Sequence, residues 1–133
     1  MAIMIDSNVI LDVVLRDPIW FEWSSEKMSQ LSEDQNFIIN SIIYSEVSVG
    51  YQRIEEVEEL FTSSYFLREA IPWEACFLAG KCFLQYRKSG GTRTSPLPDF
   101  FIGSHASIRN YPLLTRDAAR YRTYFPKLQL ITP

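Results

Sequence analysis

AIMIDSNVILDVVLRD, residues 2–17, carries two hydrophobic periods in succession. Ala2 to Ile5 is a short unbroken apolar run, the pattern of a strand covered on both faces in a parallel sheet. Val9, Ile10, Val13 and Val14 then recur at helical spacing. A strand that runs straight into a helix opens a βαβ unit, and the polar residues at the junction, Asp6, Ser7 and Asn8, stand where the strand ends.

The rest of the chain repeats the alternation. Asp17-Pro18 is a helix-start signal, Asp as cap and Pro at the first helical position, for a helix reaching about Asp34. NFIIN (36–40) reads as a second strand, and Ser41 is the expected cap of a third helix that ends near Gly50. IEEVEELFTSS makes a fourth helix whose EEVEEL segment is a solvated acidic face, and YFLREAI (65–71) a third strand. PWEACFLAGKCFLQYRKSG starts on proline and stops at Gly90-Gly91, giving the longest helix. The loop SGGTRTSPLP leads into a DFFIGSHASIRN helix, a strand at 112–115, a helix at 116–125 and a last strand at 128–132. This order predicts a single α/β domain over residues 1–133, with right-handed crossovers and a mostly parallel sheet covered on both faces.

Composition agrees with one ordinary core: 133 residues, 47% of them hydrophobic. Neither a membrane span nor a secretory signal fits, so a soluble, cytoplasmic protein is expected. Cys76 and Cys82 stand six apart on one helix, match neither a redox pair nor a zinc pair, and are expected to be apolar filler. A net charge of −3 argues against nucleic-acid binding by bulk positive field, unless several acids hold a divalent cation that inverts the local potential.

In open α/β sheets the ligand site lies beyond the carboxyl ends of the strands, which directs attention to Asp6 and Asp117. Glu46 and Asp99 complete a set of four acids that can line a cleft. Each has a simpler reading: Asp6, Asp99 and Asp117 suit helix starts, and Glu46 suits an exposed helix face. Pro96 and Pro98 fix an extended approach that places Asp99 in the first turn of its helix. His105 lies about 240° around that helix from Asp99, so packing or surface placement is expected rather than catalysis.

IMIDSNVILD, SEV, LPDFFIGSHA and LLTRDAARYRTYFP, taken in order across the whole chain, resemble the motifs of PIN-domain nucleases, in particular VapC-type toxins of type II toxin–antitoxin modules. The resemblance implies a three-layer α/β/α sandwich on a five-stranded, mostly parallel sheet. It matches Asp6, Glu46, Asp99 and Asp117 to acidic metal-binding positions, and Asn8 and Thr115 to polar accessory ones. It implies an Mg²⁺- or Mn²⁺-dependent endoribonuclease that leaves a 5′-phosphate and a 3′-hydroxyl. Further implications are an RNA substrate (tRNA, rRNA or mRNA), a cognate antitoxin and a homodimer or hetero-oligomer. Two departures stand out. Asp-Ser-Asn replaces the commoner Asp-Thr-Asn, and Arg120, Tyr121 and Arg122 occupy the region where many relatives carry a fifth acid.

Arg87, Lys88 and Arg93 around the glycine-rich loop, and Arg116, Arg120 and Arg122 after the fourth strand, are either the bases that grip phosphates or stack on nucleobases, or solvated surface charges and antitoxin contacts. Trp20, Phe21 and Trp23 are expected by default to pack in the core, and as an alternative offer an apolar surface on which a partner peptide can dock. Other doubly wound families fit poorly: Asn8 stands where a haloacid-dehalogenase-like phosphatase needs an acid, and receiver domains require an acidic pair and a late lysine. The non-enzymatic alternative is a catalytically silent PIN-like module that binds protein or RNA.

Overall fold

The computed structural model describes all residues, Met1 to Pro133. Five parallel strands, β1 (Ala2–Ile5), β2 (Asn36–Ile39), β3 (Phe66–Arg68), β4 (Leu113–Leu114) and β5 (Leu130–Ile131), form one sheet in the order β3-β2-β1-β4-β5. Seven helices flank it: α1 (Ser7–Val14), α2 (Phe21–Ser32), α3 (Ser41–Ser48), α4 (Ile54–Leu60), α5 (Trp73–Lys88), α6 (Pro98–Arg109) and α7 (Ala119–Tyr124). This is the α/β/α architecture expected from the alternation.

Ile3, Met4 and Ile5 are all buried, as are Phe37, Ile38 and Ile39. Successive side chains of a strand point to opposite faces, so consecutive buried residues require helices on both sides of the central sheet. At the edges, β3 exposes Leu67 and Arg68, and β5 is only half-buried. No helix is long and apolar enough to cross a membrane.

Several boundaries differ from the sequence expectation for local reasons. Asn40, not Ser41, caps α3: its Oδ1 accepts from the backbone N–H groups of Ile42 and Ile43, both at 3.0 Å, while Ser41 is the exposed first helical residue. Asp17 does act as a capping carboxylate, accepting from Ile19 and Trp20 at 2.9 Å, but a turn over 18–20 precedes α2. The helix expected from residue 116 begins at Ala119, because Thr115 Oγ1 accepts the Asp117 N–H and holds 115–117 in a loop. Pro98 opens α6 with Asp99 in its first turn, and Asn110 ends it in the left-handed conformation at φ 58°.

One glycine matters for placing the site. A Cβ on Gly103 of α6 would lie 2.3 Å from the ring of buried Phe125, so only glycine lets the end of α7 pack this closely on α6. That approach carries Tyr121 of α7 into the interior, 1% exposed.

Candidate active site

β1 and β4 are hydrogen-bonded neighbours, and the chain leaves β1 toward β2 and β3 before returning to β4 on the other side. The carboxyl ends of β1 and β4 therefore flank the switch in strand order, the place where such sheets bind ligands. Asp6 emerges there from β1 at 4% exposure, and Thr115 from β4 at 0%. The Thr115 and Tyr121 hydroxyls each donate to Asp6 Oδ2 at 2.9 Å. Asn8 Nδ2 lies 3.2 Å from Thr115 Oγ1, and Asn8 Oδ1 accepts the Arg116 N–H at 3.4 Å.

The other three acids stand around this centre. Ser7, in the first turn of α1, donates its hydroxyl to Glu46 Oε1 at 2.8 Å and ties α3 to the end of β1. Asp99 Oδ1 lies 3.3 Å from the Tyr121 hydroxyl, and Oδ2 is 3.4 Å from Arg120. Asp117 is exposed and shares with Asp99, Arg120 and Tyr86 a cleft of about 420 Å³.

Burial and mutual repulsion set the electrostatics. Burial raises the Asp6 carboxyl from 3.8 to about 6, and Asp99 and Glu46 push it the same way against the hydrogen bonds from Tyr121 and Thr115. Burial likewise raises Glu46, opposed by Ser7 and reinforced by Asp99. Asp99 is raised chiefly by burial despite Arg120 beside it. The Tyr121 phenol is held well above its ordinary value by burial and by Asp6 and Asp99, so it stays a hydrogen-bond donor.

Such a charge set favours a cation. No three His, Cys, Asp or Glu side chains stand at spacing that closes directly around an ion. The available donors are oxygens, and a hard cation such as Mg²⁺ retains several waters and needs only one or two carboxylates directly, so a wide ring of acids suits it. By donor chemistry and by uncompensated charge, the residues fit a hydrated divalent cation.

The basic residues divide. Arg116 Nε donates to both oxygens of buried Asp12, at 3.0 and 2.8 Å, and its guanidinium covers the Trp20 ring at 5.7 Å. Ser24 completes the Asp12 contacts at 2.8 Å. Arg116 thus fastens the 115–117 loop to α1 and α2, with its terminal nitrogens left unpaired. Arg87 holds the glycine-rich loop through the carbonyls of Gly91 and Arg93, and the Tyr86 hydroxyl accepts the N–H groups of Thr92 and Arg93. Lys88 and Arg93 are exposed.

His105 is fully buried and remote in function from the acids: Nδ1 takes a hydrogen bond from Asn40 at 3.0 Å and Nε2 lies 2.8 Å from Glu69. Because Asn40 Oδ1 already serves the α3 cap, its amide nitrogen faces the ring, which makes Nδ1 the acceptor and Nε2 the protonated nitrogen. Both cysteines are free. Sequence reading missed Asp12, Tyr121 as a contact of two acids, and the Arg120–Asp99 pair. For Asp12 a faint signal exists: an acid on the apolar first helix invites a search for a basic partner.

A PIN domain family model matches residues 3–126. No curated protein matches the chain in sequence. Among solved structures, VapBC2 from Rickettsia felis, bound to a DNA fragment from its promoter, superposes with a TM-score of 0.74 at 19% identity, covering 100% of this chain and 99% of that one. VapBC-1 from nontypeable Haemophilus influenzae gives 0.70 at 23% identity, covering 99% and 98%. A toxin–antitoxin complex from Klebsiella pneumoniae gives 0.69 at 17% identity, covering 98% and 97%. With the fold shared over full length and the family match spanning nearly the whole sequence, the chain belongs to the PIN domain family.

Proposed function

We propose that this chain is the toxin of a type II toxin–antitoxin module, a cytoplasmic Mg²⁺- or Mn²⁺-dependent endoribonuclease that inhibits translation and is restrained by a cognate antitoxin. The observation that carries the reading is the group of acids Asp6, Glu46, Asp99 and Asp117 at the carboxyl edge of the sheet, the first three with raised carboxyls and only Arg120 paired among them. Family membership supports nuclease chemistry, and likeness to the solved toxin–antitoxin complexes supports a protein partner.

When bound, the cation supplies charge neutralisation and activates water for attack on phosphorus. Asp6, Asp99 and Asp117 hold it directly or through water, and Glu46, positioned by Ser7, is a ligand or orients the attacking water. Thr115 and Asn8 keep the Asp6 carboxylate oriented. Arg93, Lys88 and the terminal nitrogens of Arg116 meet backbone phosphates of tRNA, rRNA or mRNA; Arg87 reaches the substrate by shaping the loop that carries Arg93. The partly exposed Trp20 and Trp23, beside exposed Leu15 and Ile19, form the surface for the antitoxin.

One observation favours a catalytically silent binding module instead: no three acids stand at direct metal-ligand spacing. A single experiment separates the readings. The purified chain is incubated with a total RNA pool and Mn²⁺, with and without EDTA, beside Asp99→Asn. Cleavage leaving 5′-phosphates, lost with EDTA and in the variant, supports the nuclease. Intact RNA in the presence of a folded, metal-loaded chain supports the silent module.

A further inference from the structure

Asp6 takes two hydroxyl protons on one oxygen. Thr115 Oγ1 and the Tyr121 hydroxyl both lie 2.9 Å from Oδ2, whereas Oδ1 is met only by Ser7 at 3.5 Å, a hydroxyl whose shorter bond of 2.8 Å goes to Glu46. The same Tyr121 oxygen stands 3.3 Å from Asp99 Oδ1. A phenol carries one proton, and the shorter contact directs it to Asp6. The ring behind it is fixed: Tyr121 is 1% exposed, beside Phe125, which is seated on Gly103 of α6. Its hydroxyl is therefore placed by helix packing rather than by the acids it touches.

We propose that Tyr121 is a positioning residue of the acid site: its hydroxyl, with that of Thr115, saturates Asp6 Oδ2 and fixes that carboxylate beside Asp99, so that a divalent cation is taken through Asp6 Oδ1, on the Ser7 and Glu46 side. The inference rests on the metal-dependent reading above. An oxygen already accepting two hydroxyl bonds has no lone pair left for a cation without giving one up. What stays open is one oxygen on each of three acids: Oδ1 of Asp6, Oε2 of Glu46, and Oδ2 of Asp99, which meets only Arg120 at 3.4 Å. Without the hydroxyl, Asp6 Oδ2 loses one of its two fixed donors, and the cation must organise that carboxylate as it binds.

Tyr121→Phe keeps the ring and removes one oxygen. Calorimetric titration with Mn²⁺ alone, on this variant and the wild type, is the test, accompanied by thermal melts in EDTA. The expected result is about tenfold weaker Mn²⁺ binding by the variant, the size of one hydrogen bond to a charged group. A lowered melting temperature with unchanged Mn²⁺ affinity would leave Tyr121 a packing residue and overturn the proposal. Tighter binding would overturn it too, because the hydroxyl would then compete with the cation. No saturable binding by the wild type would sink both the metal-dependent reading and this one, whereas equal binding by both proteins sinks this one alone. Should the variant not fold, the wild type suffices: the Tyr121 hydroxyl-proton resonance, followed by NMR during Mg²⁺ addition, persists at saturation if the hydroxyl is a fixture and vanishes if it is displaced.

Discussion

Replacing Asp6 by asparagine should stabilise the metal-free protein near neutral pH while disabling its site. The Asp6 carboxyl is raised from 3.8 to about 6 by burial and by Asp99, so holding it ionised in the folded state costs about 3 kcal/mol. The sign follows from the direction of the shift. A raised carboxyl favours the folded state when protonated, so its contribution is fully present below about pH 4 and is lost as pH rises through about 6. An amide at position 6 can accept from Thr115 and Tyr121 through its oxygen and donate toward Ser7, and it carries no charge to bury. In EDTA near neutral pH, Asp6→Asn should therefore gain about 1–3 kcal/mol, a rise in melting temperature of roughly 4–10 °C for a chain this size. Near pH 4 the advantage should shrink to a fraction of a kcal/mol, roughly 0.5, because the wild-type carboxyl is then protonated in the folded state and about half protonated in the unfolded one. Urea unfolding at the two pH values measures this directly. A variant that is less stable at neutral pH, or whose advantage persists undiminished near pH 4, would refute the claim that a strained buried charge sits at the end of β1.

The arginines should separate into structural and substrate-facing groups. Arg116→Ala leaves Asp12 buried without its cation and should cost about 3 kcal/mol, whereas Arg93→Ala should leave the melting temperature unchanged and flatten the salt dependence of RNA binding. Arg116→Lys should not restore full stability, since the Nε contact to both Asp12 oxygens has no lysine equivalent. Gly103→Ala should destabilise by about 1–3 kcal/mol by forcing Phe125 off α6, read by thermal melts. Asn40→Ala removes two bonds of the α3 cap and the partner of His105 Nδ1, and should cost about 2 kcal/mol in urea unfolding.

What could be read from sequence was what is written locally. The change of hydrophobic period between Ile5 and Val9 marks the first βα unit, and the prolines before Asp99 place that acid in the first turn of α6. The four acids could be named singly, but their neighbourhood could not be derived from spacing, since each also suits a helix end. Family resemblance supplied the grouping. Contacts across long separations stayed hidden: Arg116 reaches Asp12 over 104 positions, and Tyr121 reaches Asp6 over 115. Tyr121 was read only as the absence of a fifth acid, because its burial depends on how α7 sits against Gly103, a fact of packing with no local signature. Ser41 and Asn40 are both residue types that suit a cap, and Asn40, expected at the end of the second strand, also pairs with His105 on another helix, a contact with no local signature.

The most direct test of the account is calorimetric titration of Mn²⁺ into the metal-free wild type and Asp99→Asn near pH 6, in two buffers of different ionisation enthalpy. Saturable binding that releases protons, and is abolished or strongly weakened in the variant, is predicted: Asp6, raised to about 6, is partly protonated at this pH and must lose that proton as the cation enters. Equal binding by both proteins, or none by a folded wild type, would contradict the claim that these acids form a metal-dependent nuclease site.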